Sequence, residues 1–97
     1  MAEFLIKRED GHFLRTTAET LDALATAEMV KEEGWGILRL KHVPTGAIAV
    51  IDDEMPGVKV WFEGAPIHDG LQRAIIGGLV ERLQRASGQE LFTVAIG

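Results

Sequence analysis

The chain contains no cysteine and no tyrosine, and Ser87 is its one serine. Without cysteine there is no disulfide, no thiolate nucleophile and no cysteine-based zinc site. Without tyrosine there is no phenolic acid. Ser87 precedes Gly88 at an expected helix end, not on the tight turn beside a base that an activated serine needs. The 11 glycines have no period, which excludes a collagen-like chain.

Long apolar runs are also missing. The longest is Ala74-Ile75-Ile76-Gly77-Gly78-Leu79-Val80, far short of the about 20 residues a membrane span needs. The opening, Met1 to Arg8, lacks the basic start and apolar run of a secretory signal. Together with the lack of cysteine, this leads us to expect a cytoplasmic protein with no membrane partner.

Basic residues are outnumbered. Ten lysines and arginines face 15 acids, for a net charge of −5, which disfavours binding to a phosphate backbone. The excess lies in residues 1–54, with 11 acids and 6 bases. It serves either solubility or attraction to a basic partner.

What is present is an ordinary globular balance, 46% apolar and 26% charged over 97 residues, enough for a single domain spanning 1–97. Mean hydropathy is +0.09. A domain this short buries only roughly 60–65% of its unfolded surface. Further burial against a partner is therefore expected.

Local patterning predicts an α+β fold. Residues 3–8 and 12–16 flank Asp10-Gly11 and read as a β-hairpin. Thr16 and Glu19 read as a capping box opening a helix over about 17–33 that ends at Gly34. Glu32-Glu33 would then oppose the helix dipole. Strands follow over 37–43 and 47–52, the second apolar on both faces and so central. Pro56-Gly57 suits the middle of a type II turn. Over 58–63, Val58, Val60 and Phe62 alternate with Lys59, Trp61 and Glu63.

Asp69, with Gln72, can cap a second helix. Leu71, Ile75, Leu79 and Leu83 form its stripe and Gly88 ends it. A last strand covers 90–96. The predicted order is ββαβββαβ, a mostly antiparallel sheet with two helices on one face, and possibly ferredoxin-like.

Candidate functional residues are few. Trp61 points to the face that the helices would leave open, and an exposed tryptophan on a sheet marks an interface. The alternative is that the N-terminal hairpin covers it. Trp35, between Gly34 and Gly36, is expected to pack over the core edge and is a further interface candidate, as are Gly77 and Gly78. Gly77-Gly78 in mid-helix costs roughly 2 kcal/mol relative to alanines. Close approach to the sheet, helix packing across a dimer, or a ligand on bare backbone would each offset it.

His68, Asp69 and Gly70 at the start of the second helix are ligand-binding candidates, because free N–H groups there attract anions. His68 with Asp69 or Glu63 is the candidate acid–base set should the protein be an enzyme. Arg73, Arg82, Arg85 and Lys59 would have to share one surface to bind nucleic acid. His12 and His42 are expected to be solvated. Asp52-Asp53-Glu54 reads as a solvated turn, since it lacks the spacing of a calcium loop. No phosphate-cradling motif occurs, and neither a metal nor a cofactor is expected. The leading expectation is therefore a non-enzymatic module that forms a homodimer or binds another protein. A domain binding a small anion is the alternative.

Overall fold

The computed structural model describes residues 2–96. Its elements are β1 (Glu3–Arg8), α1 (Ala18–Asp22), β2 (Met29–Glu32), β3 (Leu38–His42), β4 (Ala47–Glu54), β5 (Gly57–Gly64), α2 (Asp69–Ser87) and β6 (Leu91–Ala95). The class is α+β, as the patterning predicts. The six strands form one open antiparallel sheet, ordered β2-β3-β4-β5-β1-β6. The element order is βαββββαβ rather than ββαβββαβ, and the strand order differs from that of a ferredoxin-like sheet.

β2 to β5 form a meander with consecutive antiparallel pairs. β1 then lies between β5 and β6, antiparallel to both. β5 and β6 are therefore parallel to each other, joined by α2, with β1 inserted between them, a split β-α-β unit. This placement explains the first departure from the sequence reading. With β5 on one edge and β6 on the other, β1 has no edge left for residues 12–16. The Asp10-Gly11 turn forms, with Gly11 at φ 80°. Beyond it the chain runs irregularly, buries Leu14 and donates its N–H to the Pro56 carbonyl at 2.9 Å.

The second departure is the helix expected over 17–33. It runs only from Ala18 to Asp22, capped by Thr17 with Thr20 as its box partner, in place of Thr16 with Glu19. Thr26 stops it. Its hydroxyl accepts from the N–H groups of Glu28 (3.2 Å) and Met29 (3.0 Å), a local bond that competes with continued helix. Met29 to Glu32 then pair with β3. Glu32-Glu33 consequently face no helix dipole.

Smaller corrections follow. Glu54 pairs with Gly57, so the middle of the β4–β5 turn is Met55-Pro56 and not Pro56-Gly57; the Met55-Pro56 bond is cis. Asp52 to Glu54 lie in β4, not in a turn. α2 is capped by His68, whose Nδ1 accepts from the Leu71 N–H at 3.0 Å. Gly88 ends it in the left-handed conformation, as expected. His42 is buried, with Nδ1 2.8 Å from the Thr45 hydroxyl.

The core lies on one side of the sheet. Phe4, Ile6, Leu40, Ile51, Val58, Val60 and Phe62 meet Ile75, Ile76, Leu79 and Leu83 of α2, and Leu21 and Leu24 pack into the same cluster. Arg82 ties α2 to the turn that follows α1, its Nε donating to the Leu24 carbonyl at 3.1 Å. Burial lowers the pKa of this guanidinium.

Gly77 plays none of the roles that would bring it close to the sheet. A Cβ there would have no neighbour within 4 Å, and at Gly78 it would meet only the end of Arg82. Gly77→Ala is therefore expected to stabilise the fold by about 1 kcal/mol through helix propensity alone. Thermal melts should show a rise of about 4–8 °C, and an unchanged or lower melting temperature would contradict the open placement.

Candidate functional site

Among the described residues no helix covers the other side of the sheet, and the register specifies which residues face outward. Glu3 is opposite Trp61, and Trp61 is opposite Val50, which in turn is opposite Arg39. One residue pair along, Leu5 is opposite both Val94 and Lys59, and Lys59 is opposite Asp52. Phe92 sits beside Lys7. Because Phe4, Ile6, Val58 and Val60 point into the core, these neighbours point away from it.

Trp61 sits near the middle of this face and is half-buried. Its cover is not the N-terminal hairpin. The loop between β2 and β3 folds onto the sheet, and Trp35 stacks on Trp61 with ring centroids 5.2 Å apart, tilted by 41°. Gly36 makes this possible. Its φ is 96°, and a Cβ would lie 3.1 Å from the Ile51 carbonyl and 3.2 Å from Val50 Cγ1, so only glycine lets the loop settle this closely. Val50 is fully buried on this side as a result. Trp35 thus belongs to the uncovered face, not to the core edge, and it remains 62% exposed.

Charged groups fix Trp61 from both sides. Its Nε1 donates to Glu63 Oε2 at 3.1 Å, and Arg39 Nη2 donates to Glu63 Oε1 at 3.1 Å. Lys59 Nζ lies 5.2 Å from the Trp61 ring and pairs with Glu3 at 3.5 Å. The Arg39 side chain is only 11% exposed, with Nε and Nη1 buried and unpartnered among the described residues. Two aromatic rings, Trp61 on β5 and Trp35 on the β2–β3 loop, therefore stack beside these paired charges.

The sequence reading identified Trp61 and Trp35 but missed Arg39 and the role of Glu63. Nothing in the local pattern reveals that β3 brings Arg39 within reach of a residue 24 positions away. It also missed the apolar stripe of β6, where Phe92, Val94 and the adjoining Ile96 are 38%, 40% and 48% exposed. The alternation was visible there, but which strand ends the sheet was not.

The other candidates do not converge. His68 Nδ1 is occupied by the start of α2. No hydrogen bond or ion pair joins His68 to Asp69 or Glu63 among the described residues, and Glu63 is engaged with Arg39 and Trp61. A cleft of about 370 Å³ precedes α2, walled by Phe62, Pro66, Ile67 and Gln72 among others, but His68, Asp69 and Gly70 do not line it. Lys59 lies on the uncovered face and Arg82 between the helices, so the four bases needed for nucleic acid do not share a surface. Among the described residues no three His, Asp or Glu side chains group as metal ligands, and no helix is long and apolar enough to cross a membrane.

Comparison of the chain with protein-family models, curated proteins and solved structures returns no match.

Proposed function

We propose that this protein is an interaction module that binds polypeptide across the uncovered face of its sheet. The observation that carries the reading is the Trp35–Trp61 pair, stacked at 5.2 Å on a face no helix covers, with Trp35 62% exposed. A large, mostly exposed aromatic side chain held by its own loop presents apolar area at low entropy cost, as anchors of protein interfaces do. The surrounding charges are already paired with one another, so a partner is held mainly by apolar contact and the rim supplies selectivity. The lack of cysteine fits a reducing compartment, and we place the module in the cytoplasm.

The test uses a displayed random-peptide library selected on the immobilised protein. Trp35→Ala removes an exposed ring and leaves the core untouched. Selected peptides are expected to lose more than tenfold in affinity on Trp35→Ala. Peptides that bind this variant as tightly as the wild type, or no enrichment at all, would contradict the reading.

A further inference from the structure

The two edges of the sheet are unlike. β2 is four residues long and carries Lys31 and Glu32, with Lys31 paired to Asp22. Short length and charge are the usual means by which an edge strand avoids pairing with other chains. β6 has neither. From Leu91 to Ile96 the sequence is Leu-Phe-Thr-Val-Ala-Ile, without charge, proline or glycine, and every residue after Leu91 is exposed.

Hydrogen-bond alternation shows what this edge offers. The Ile96 N–H donates to the Glu3 carbonyl and the Glu9 N–H donates to the Glu90 carbonyl. Even-numbered residues of β6 therefore turn their backbone polar groups toward β1. Odd-numbered residues turn theirs outward. Leu91 confirms the parity, because its N–H is taken by Gln84 Oε1 at 2.9 Å. Thr93 and Ala95 are left with N–H and C=O groups facing away from the sheet, and neither has another hydrogen bond recorded among the described residues.

From this we infer that β6 pairs with β6 of a second copy, antiparallel about a two-fold axis at Val94, to give a continuous twelve-stranded sheet. The inference rests on the reading above and names the occupant of one end of the face. The register follows from the parity. Centred on Val94, Thr93 of each copy meets Ala95 of the other, and the two pairs exchange four backbone hydrogen bonds. Centred on Thr93, the ladder would need the Leu91 N–H already held by Gln84 and would set Glu90 against Ile96.

The side chains agree with the Val94 register. Val94 meets its own copy at the close, non-hydrogen-bonded spacing, and Phe92 meets Ile96. This joins two exposed apolar stripes on the uncovered face. Each chain carries −5, so two copies repel at long range, but the contact itself falls on a stretch with no charge. A two-fold contact of this kind is closed and does not propagate into fibres. The strand alone buries only a few hundred Å² per partner, below the about 800 Å² of a standard interface. The dimer is accordingly weak, and its test spans a wide range of concentration.

Sedimentation equilibrium between 5 and 500 µM tests this with four variants. Thr93→Pro removes an outward N–H and leaves the bonds to β1 intact. It should weaken the dimer more than tenfold. Should Thr93→Pro not fold, Val94→Lys and Val94→Asp serve instead. Each places like charges opposite one another at the axis and should be monomeric, and mixing the two should restore a dimer. Trp35→Ala should dimerise as the wild type does. A dimer lost in Trp35→Ala but kept in Thr93→Pro would overturn edge pairing and leave the polypeptide-binding reading standing. A monomeric wild type at 500 µM would overturn edge pairing alone, because the peptide selection judges the broader reading separately.

Discussion

Replacing Gly57 by alanine is expected to lower the melting temperature by about 15 °C, which corresponds to about 3 kcal/mol for a domain of this size. Gly57 opens β5, where β1 passes against it. A Cβ there would lie inside contact distance of the Ile6 carbonyl oxygen, with Lys7 Cα also within reach. These are backbone atoms in the middle of a ladder, so no side chain can rotate away. The strands must separate, weakening the pairing of Ile6 with Val58 and opening the core around both residues. A loss of this size is a large part of the 5–15 kcal/mol that holds a typical domain together. Thermal or urea melts of Gly57→Ala beside Gly77→Ala make the comparison internal. Identical substitutions should shift stability in opposite directions, and two shifts of the same sign would contradict the packing of β1 against β5.

The second large effect concerns Arg39. Arg39→Ala is expected to cost about 2–3 kcal/mol, whereas Arg39→Met should cost less than about 1 kcal/mol. The guanidinium sits under the β2–β3 loop. The Arg39 stem packs so closely beneath Gly34 that a Cβ there would collide with it. Among the described residues, one guanidinium nitrogen contacts Glu63 and the two others are buried without a partner. An ion pair held this way returns little of its desolvation cost. Much of what Arg39 contributes is therefore the volume and apolar surface of its stem, which methionine replaces and alanine does not. Fully buried pairs lose about 3–5 kcal/mol when one partner is removed, and the value here is smaller because Glu63 is 31% exposed. Urea melts read the stability. Tryptophan emission should shift to the red in Arg39→Ala as Glu63 and the Trp35–Trp61 pair loosen. Equal losses for the two variants would show that the charge, not the stem, holds the loop.

The parts of the fold that could be read from the sequence were those set by local period. Val58 to Glu63 alternate in the structure as they do in the sequence, and the stripe Ile75, Leu79, Leu83 is the buried face of α2. The apolar run Ala47 to Ile51 is an interior strand, as its two apolar faces require. The readings failed where a distant partner decided the outcome. Asp10-Gly11 does turn the chain, but the hairpin partner loses its place to β5 and β6, which lie at least 49 residues further along. Residues 23–33 have helical composition, yet the Thr26 hydroxyl and the free edge of β3 outweigh it. The face that Trp61 occupies was legible from alternation. Its cover was not, because the contact with Trp35 depends on how Gly34-Trp35-Gly36 folds back. Likewise the uncharged run of β6 is plain in the sequence, and its meaning appears only when β6 proves to be an edge.

Concentration-dependent amide hydrogen exchange at Thr93 and Ala95 tests the account most directly. Their N–H groups face away from β1, while those of Val94 and Ile96 face toward it. Edge pairing predicts that Thr93 and Ala95 exchange rapidly at 5 µM and are protected at 500 µM, with Val94 and Ile96 protected at both. Rapid exchange of Thr93 and Ala95 at both concentrations would contradict it.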